Sequence, residues 1–535
     1  MPQAYEVLLY SIDNLRRLLA EKAGTPEHVI AIKRHLDYFE EYFTDLDAKT
    51  IIVENGYVHR DYLEDFAAYY VRCFQKYERH CTRLHFFDSA FSEQDFSDLL
   101  SGVTGSLTPE ALQNAYLGFV VVKPLPQTVI GRTCLKTYPD AGRRQFPITR
   151  PYPAHLYGIP LMIHSLAFQE QDAVAAACAT SALWSAFQGT GRQFQHHIPS
   201  PVEITRSATS HVPLDTRTFP SSGLNATQMA EAIRSVGLEP FLVNADDEYV
   251  LKSTLYAYLR GHIPVLLGFA LVEPSAPDVS LGLHAVTVAG YSLGVTQQVA
   301  YQQQGTYLRA FRMDKIYAHD DQIGPFARMQ FLGGASFSTS WLSDAGTGLL
   351  NAQATLMLVP LYHKIRIPIQ TVRDMVFSFD GLVEALRQGG LVGLANPLEW
   401  DVYLTNVNTL KEELLGMAAL PGDYRARLLT HSMPRFLWRV TALANGSPLL
   451  DLLFDATDIE QGCFFAGSID YDISFAQNLR AAALSLVQSK YPSFFRRPPP
   501  LRMVCNHHPV ISIALKDTVL PIFHKIAGVA SKGGE

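Results

Sequence analysis

The chain has 535 residues and a formal charge of −7, with 48% hydrophobic and 18% charged residues. Such a composition supplies enough apolar surface to offset ordering entropy, which excludes a disordered chain, and the length suggests more than one domain. Basic runs do not exceed pairs such as Arg143-Arg144 and Arg496-Arg497, too short for the basic stripe of a nucleic-acid binder.

Helical periodicity opens the chain. Val7, Leu8, Ile12, Leu15, Leu18 and Leu19 share one stripe, and Tyr62 to Leu84 repeats the period with Leu63, Phe66, Tyr70, Cys73, Phe74 and Tyr77. The first hundred or so residues are therefore expected to be mainly helical. Tyr116 to Pro124 and Thr128 to Thr133 then read as short β-rich runs, and the proline-rich stretch Phe146 to Pro160 as extended.

From Gln169 to Phe187 the pattern is helical, and 193–222 reads as an irregular loop. Asn225 or Thr227 could cap a helix over Gln228 to Val236, ended by Gly237. Strand-like runs follow at Ile263 to Leu271, His284 to Leu293, Thr306 to Met313 and Phe326 to Leu332. Beyond Lys364, Gln370 to Arg387 is amphipathic, and Phe436 to Leu453 forms a strand-turn-strand pattern across Asn445-Gly446. The expected fold is α+β with three domains: 1–160 mainly helical, 161–362 carrying the site below, and 363–535 mixed α/β.

The six cysteines form no CxxC pair, which suits free thiols in a reducing compartment. The N-terminus lacks the pattern of a signal peptide, and no uncharged apolar run reaches the ~18 residues of a membrane span. The expected location is the cytoplasm.

One constellation carries chemistry. Cysteine catalysis needs a thiolate, a base for its proton and a group that orients the base. A helix N-terminus favours the thiolate because unpaired backbone N–H groups face it. Cys178 precedes an apolar helical face of Ala182, Leu183, Ala186 and Phe187. His284 opens the strand-like run HAVTVAGY, with Gly282 before it leaving room for close approach. Asp320 ends a further β-rich stretch, with Asp321 beside it as the alternative and His319 on the opposite strand face.

Taken in order, these segments resemble the papain-like cysteine peptidase superfamily, and within it the C39-like peptidases. The resembling pieces are Gln171, Cys178 to Trp184, Gly223-Leu224, Gln228-Met229, Ile263-Pro264-Val265, His284 to Tyr291 and Asp320. The resemblance implies a Cys-bearing helix packed on an antiparallel sheet. It implies Cys178 as nucleophile, His284 as base, Asp320 as its orienter and Gln171 as oxyanion donor. Gln171 lies seven positions before Cys178; the family offset is six, which is Asp172 here, and Ala179 stands where many relatives have glycine.

The implied activity is peptidase or isopeptidase cleavage of a protein or peptide substrate. An acyltransferase of transglutaminase type, or a non-catalytic binding module, shares the same signal. The chemistry calls for no cofactor, and neither nucleic acid nor membrane is an expected partner, although the flanking regions could bind a partner protein. Cys73, His80, Cys81 and His85 form a loose cluster, as do Cys505, His507 and His508, but neither has structural-zinc spacing. Asp455, Asp458 and Glu460 read as a solvated acidic loop.

Overall fold

The computed structural model describes residues 4–105, 107–138, 142–172, 177–210, 223–294, 305–343, 348–459 and 464–490. Helices and antiparallel sheets share the chain, an α+β fold. They form two units, each discontinuous in sequence. One draws on the described residues within Met1–Glu248, His262–Ser292 and Asp314–Tyr362, the other on those within Tyr249–Gly261, Leu293–Met313 and His363–Glu535.

In the first unit, three strands cross the region expected to be mainly helical. Tyr5–Leu9, Thr50–Tyr57 and Cys81–Phe87 join Tyr116–Val122 and Ile130–Leu135 in an antiparallel sheet, in that order. The expectation failed for a physical reason. Cys81–Phe87 is buried at every position, and its polar residues Thr82, Arg83 and His85 fall on both faces, so the sequence shows no two-residue alternation to mark a strand. Within Tyr62 to Leu84 the helix covers only Arg60–Ala68 before a short 3-10 turn. Of the stripe that starts at Val7, only the part from Ile12 is helical: Ile12–Ala23 is capped by the Ser11 side chain and ended by Gly24 at φ 67°, whereas Val7 and Leu8 lie on the first strand.

The same unit holds a closed ring of six antiparallel strands: Val265–Glu273, Ala276–Leu293, Met313–Asp320, Gly324–Gly333, Ser336–Leu342 and Leu349–Tyr362. The last pairs back to the first, Leu266 opposite Leu358. Closure leaves the ring itself no free edge, and Leu238–Asn244 pairs with the far end of the last strand. Glycine matters at one place in the ring. A Cβ on Gly290 would lie 2.6 Å from the Gln145 carbonyl, so only glycine lets Arg144–Gln145 pair there.

The 17-residue helix Cys178–Phe194 packs on this ring, and Thr287 donates its hydroxyl hydrogen to the Ala182 carbonyl. It is buried almost all round from Ala179 to Gln188, as a helix inside a core must be. A helix at Pro201–Thr209 lies where an irregular loop was expected. Its start is a Ser200–Glu203 capping box with proline in the first turn, a signal present in Ser-Pro-Val-Glu. Asn225, one of the two expected caps, caps Ala226–Ser235 reciprocally with Gln228, so the helix starts two residues before the expected Gln228.

In the second unit, Tyr307–Leu308, Glu399–Asn406, Phe436–Ala444, Ser447–Asp455 and Phe465–Asp470 form one sheet. The hairpin turns through Asn445 and Gly446, both at positive φ, as Asn-Gly favours. Leu410, Leu414, Leu437, Leu453 and Ile469 fill its core. The strand expected over Thr306 to Met313 is reduced to two residues followed by a 3-10 turn at Arg309–Arg312. Among the described residues, no helix is long and apolar enough to cross a membrane.

Candidate active site

Cys178 occupies the first position of its helix. The helical pattern of Gln169 to Phe187 therefore starts later than its residues suggest. The cause is tertiary: Phe168 and Glu170 donate their backbone N–H groups to Thr133 and Ile130 carbonyls, and Tyr70 donates to the Asp172 carboxylate at 2.8 Å. These bonds hold the approach extended. Ala177 caps the helix without a side-chain bond, and the first backbone bond runs from Ser181 to the Ala177 carbonyl. The N–H groups of the first turn thus have no partner within the helix, and they favour negative charge at the thiol's end.

His284 sits where its strand passes from exposed to buried residues. Its side chain lines the same cavity as Cys178, near enough for the thiol to act on the imidazole's charge, and its Nε2 lies 3.0 Å from Asp320 Oδ1. With Nε2 turned to the carboxylate, Nδ1 is the nitrogen left for the thiol. Phe269 and Trp341 pack edge-on against the imidazole, centroids 5.4 and 4.9 Å away. The expected reason for Gly282 does not hold: a Cβ there would meet nothing within 4 Å.

Asp320 and Asp321 stand at the end of Met313–Asp320, where the strand turns. Asp320 is the closer of the two to His284; Asp321 Oδ1 lies 3.4 Å from Nε2. Both Asp320 oxygens are satisfied, Oδ1 also by the Gln322 N–H and Oδ2 by the Trp341 indole N–H at 2.9 Å. The turn is held from the helix Arg34–Asp45, where His35 donates from Nε2 to the Asp321 carbonyl and Tyr38 donates to the Pro325 carbonyl. Gly324, at φ 154°, passes so close to the Tyr38 ring that a Cβ would lie 2.3 Å from it.

Burial opposes charge on His284, but the Asp320 carboxylate, its hydrogen bond, the neighbouring Cys178 side chain and Asp321 together hold the imidazole well above its ordinary pKa. Burial likewise opposes charge on Asp320, yet His284, Trp341 and the Gln322 amide keep it below the usual carboxylate range. Asp321 goes the other way. Burial pushes its carboxyl up to about 6, against the pull of His284 and with the push of Asp320, and its Oδ1 accepts no hydrogen bond. Two adjacent carboxylates sharing one cation cannot both be equally stabilised as anions.

His284, Asp320 and Asp321 offer atoms within 4.8 Å of one another, close enough for an ion. The hydrogen bonds on both Asp320 oxygens and on Nε2 already commit those lone pairs and that N–H, so the set fits a hydrogen-bonded relay better than a cation's ligands.

A cavity of about 480 Å³ opens beside the thiol. Cys178, Asn225, Gln228, Met229, Phe269 and His284 are among its lining residues. Gln171 is half-buried on the approach to the helix and is not part of that lining. Gln228 is the glutamine that lines the cavity, although its Oε1 is occupied by the Asn225 N–H.

His319 is buried with both ring nitrogens used: Nε2 donates to the Leu166 carbonyl and Nδ1 accepts from Phe326. Burial pulls its pKa down to about 3, so it is a neutral structural residue. Cys81 and His85 lie on a strand rather than a helix. His85 is engaged by Tyr116 and Glu54. Arg143 pairs with Asp314 and Arg144 stacks on Tyr138. Cys505, His507, His508, Glu460 and Arg496-Arg497 lie outside the described residues.

Sequence reading missed Trp341 and the joint placement of both aspartates. The Asp-Asp pair was visible; the indole, some twenty positions downstream, gave no signal without the strand pairing that brings it back. No protein-family model matches this sequence, and no curated protein matches it.

Proposed function

We propose that this chain is a cysteine peptidase or isopeptidase with a papain-like central domain, acting on a protein or peptide. The observation that carries the reading is His284 bonded to the Asp320 carboxylate and sharing one cavity wall with Cys178. The helix on an antiparallel ring supports it as the frame such a site needs.

In this reading Cys178 Sγ attacks the substrate carbonyl carbon while His284 takes the thiol proton. The tetrahedral oxyanion is held by the Cys178 backbone N–H at the helix start. Gln171 is the second donor that the resemblance implies, and Gln228 is the amide nearer at hand in the cavity wall. As the C–N bond breaks, His284 gives its proton to the leaving amine, and an acyl-thioester remains. Water attacks the thioester with its proton passing to His284, the C–S bond breaks, and the proton returns to sulfur. Asp320 keeps the imidazole oriented and stabilises its charged form throughout. The four cysteines among the described residues are unpaired, which suits a reducing compartment such as the cytoplasm.

The test is incubation with a mixture of unfolded polypeptides and mass spectrometry of the products. Hydrolysed fragments that vanish with Cys178→Ala but persist with Cys73→Ala support the reading. Fragments that persist with Cys178→Ala overturn it.

A further inference from the structure

The strand that delivers His284 is longer than the ring requires. It starts at Ala276, and its residues up to Leu283 are mostly exposed, whereas His284 to Ser292 are buried. The neighbouring strand Met313–Asp320 ends level with His284, since Asp320 touches its ring. The stretch before His284 therefore extends past that neighbour, with Val265–Glu273 as its partner on the other side. A bulge near Leu281, where Leu271 faces Gly282 and Val272 faces Ser280, tilts this stretch away from regular pairing.

Its side chains are unusual for an exposed edge. Val279, Leu281 and Leu283 are 56%, 50% and 78% exposed. Natural sheets blunt such edges with charge or proline; here Pro277 and Asp278 come first, and no charge follows before His284. Across the same end of the ring, Leu342 and Leu349 pair with each other and are 41% and 54% exposed. Leu342 follows Trp341, which packs on His284. Leu283 precedes His284 and itself lines the cavity beside Cys178. Exposed leucines thus stand next in sequence to His284 and to the tryptophan packed on its ring.

We propose that this surface is the docking track for an extended, apolar segment of the substrate polypeptide, which lies along Val279–Leu283 as it enters the thiol cavity. The inference rests on the peptidase reading and narrows it, from any amide to an unfolded or extended chain with apolar residues flanking the scissile bond. Continuity decides the occupant. Leu283 belongs at once to the exposed edge and to the cavity wall, so whatever covers the edge reaches the thiol. An extended peptide satisfies both demands on such an edge, because its backbone can pair with the strand while its side chains cover the leucines.

The test measures binding apart from catalysis. The full chain carrying Cys178→Ala is titrated against two fluorescein-labelled eight-residue peptides, one alternating Leu and Ser, the other alternating Asn and Ser, by fluorescence polarisation. The expected result is binding of the Leu peptide at least tenfold tighter than the Asn peptide. That preference should be lost in Val279→Ser/Leu281→Ser, with far-UV circular dichroism unchanged. A milder Leu281→Ala variant, expected to lose part of the preference, guards against misfolding of the double variant. Equal binding of the two peptides, or a preference that survives both sets of substitutions, overturns the proposal. So does dimerisation of the parent chain that Leu281→Ala abolishes, because a second copy would then be the occupant. Failure of the peptidase reading itself registers elsewhere, in products that persist with Cys178→Ala.

Discussion

Trp341 donates its indole N–H to Asp320 Oδ2 at 2.9 Å and packs its ring edge-on to His284, centroids 4.9 Å apart. One side chain therefore fixes the carboxylate and covers the imidazole it serves. Trp341→Phe keeps an aromatic ring over His284 but removes the donor. A hydrogen bond to a charged group contributes about 1.5–3 kcal/mol, so the rate of Cys178 alkylation is expected to fall about tenfold or more. Trp341→Ala should cost more, since water then reaches the ring. Equal rates for Phe and the parent would show that the indole N–H contributes nothing.

Asp320 is the carboxylate that sets the charge of His284. The imidazolium is favoured in the folded chain, so its stabilising contribution is full below the unfolded pKa of about 6.5 and is lost as pH rises through the higher folded value. Asp320 behaves oppositely. Its contribution is full above about 3.9 and is lost as pH falls through its lowered folded value. Both are present between those limits. Asp320→Asn should lower the His284 pKa by at least one unit in an NMR pH titration. It should also shift the alkaline loss of stability to lower pH. An unchanged His284 titration would remove Asp320 from its assigned role.

Asp321 should respond in the other direction. Its carboxyl is pushed up to about 6, chiefly by burial. A raised acid gives stability that is full below about 3.9 and lost as pH climbs to the folded value. Above that, the buried charge is a standing cost. Asp321→Asn is expected to raise the melting temperature by a few degrees at pH 7.5 and not at pH 4, with a smaller loss of Cys178 reactivity than Asp320→Asn. A melting temperature that falls at pH 7.5 would contradict this.

Trp184 tests the frame rather than the chemistry. Its indole N–H donates to Asp61 Oδ2 at 3.0 Å, beside Arg132 at 2.8 Å, deep in the core of the first unit. Trp184→Phe leaves a buried carboxylate oxygen short of a donor, at a cost of about 1–3 kcal/mol. Urea unfolding at neutral pH should show that loss with little change in slope.

Much of this site is legible in the amino-acid sequence alone. Cys178, His284 and Asp320 converge because each sits at a local boundary: a helix start, a strand turning inward, a strand end. Boundaries of that kind leave signatures, such as HAVTVAGY and the Asp-Asp turn. The start of the Cys helix left none, because the bonds from Phe168 and Glu170 that delay it come from the distant strand Ile130–Leu135. The N-terminal sheet was hidden for a related reason, since Cys81–Phe87 is buried on both faces and carries no strand period. Gln171 came from the resemblance alone, and the cavity wall holds Gln228 instead.

Competing thiols are few enough for a direct test of the centre. Burial pushes the Cys81 and Cys134 thiols up to about 12, which leaves Cys178 and the half-buried Cys73 as the accessible ones among the described residues. At pH 6 an ordinary thiol, with a pKa of about 8.5, is almost wholly protonated and reacts slowly. The decisive measurement is the rate of iodoacetamide labelling at Cys178 at pH 6, mapped by mass spectrometry, in the parent and in His284→Ala. Fast labelling of Cys178 that falls at least tenfold when His284 is removed is the expected result. Equal labelling in the two proteins would contradict His284 as the acceptor of the Cys178 proton.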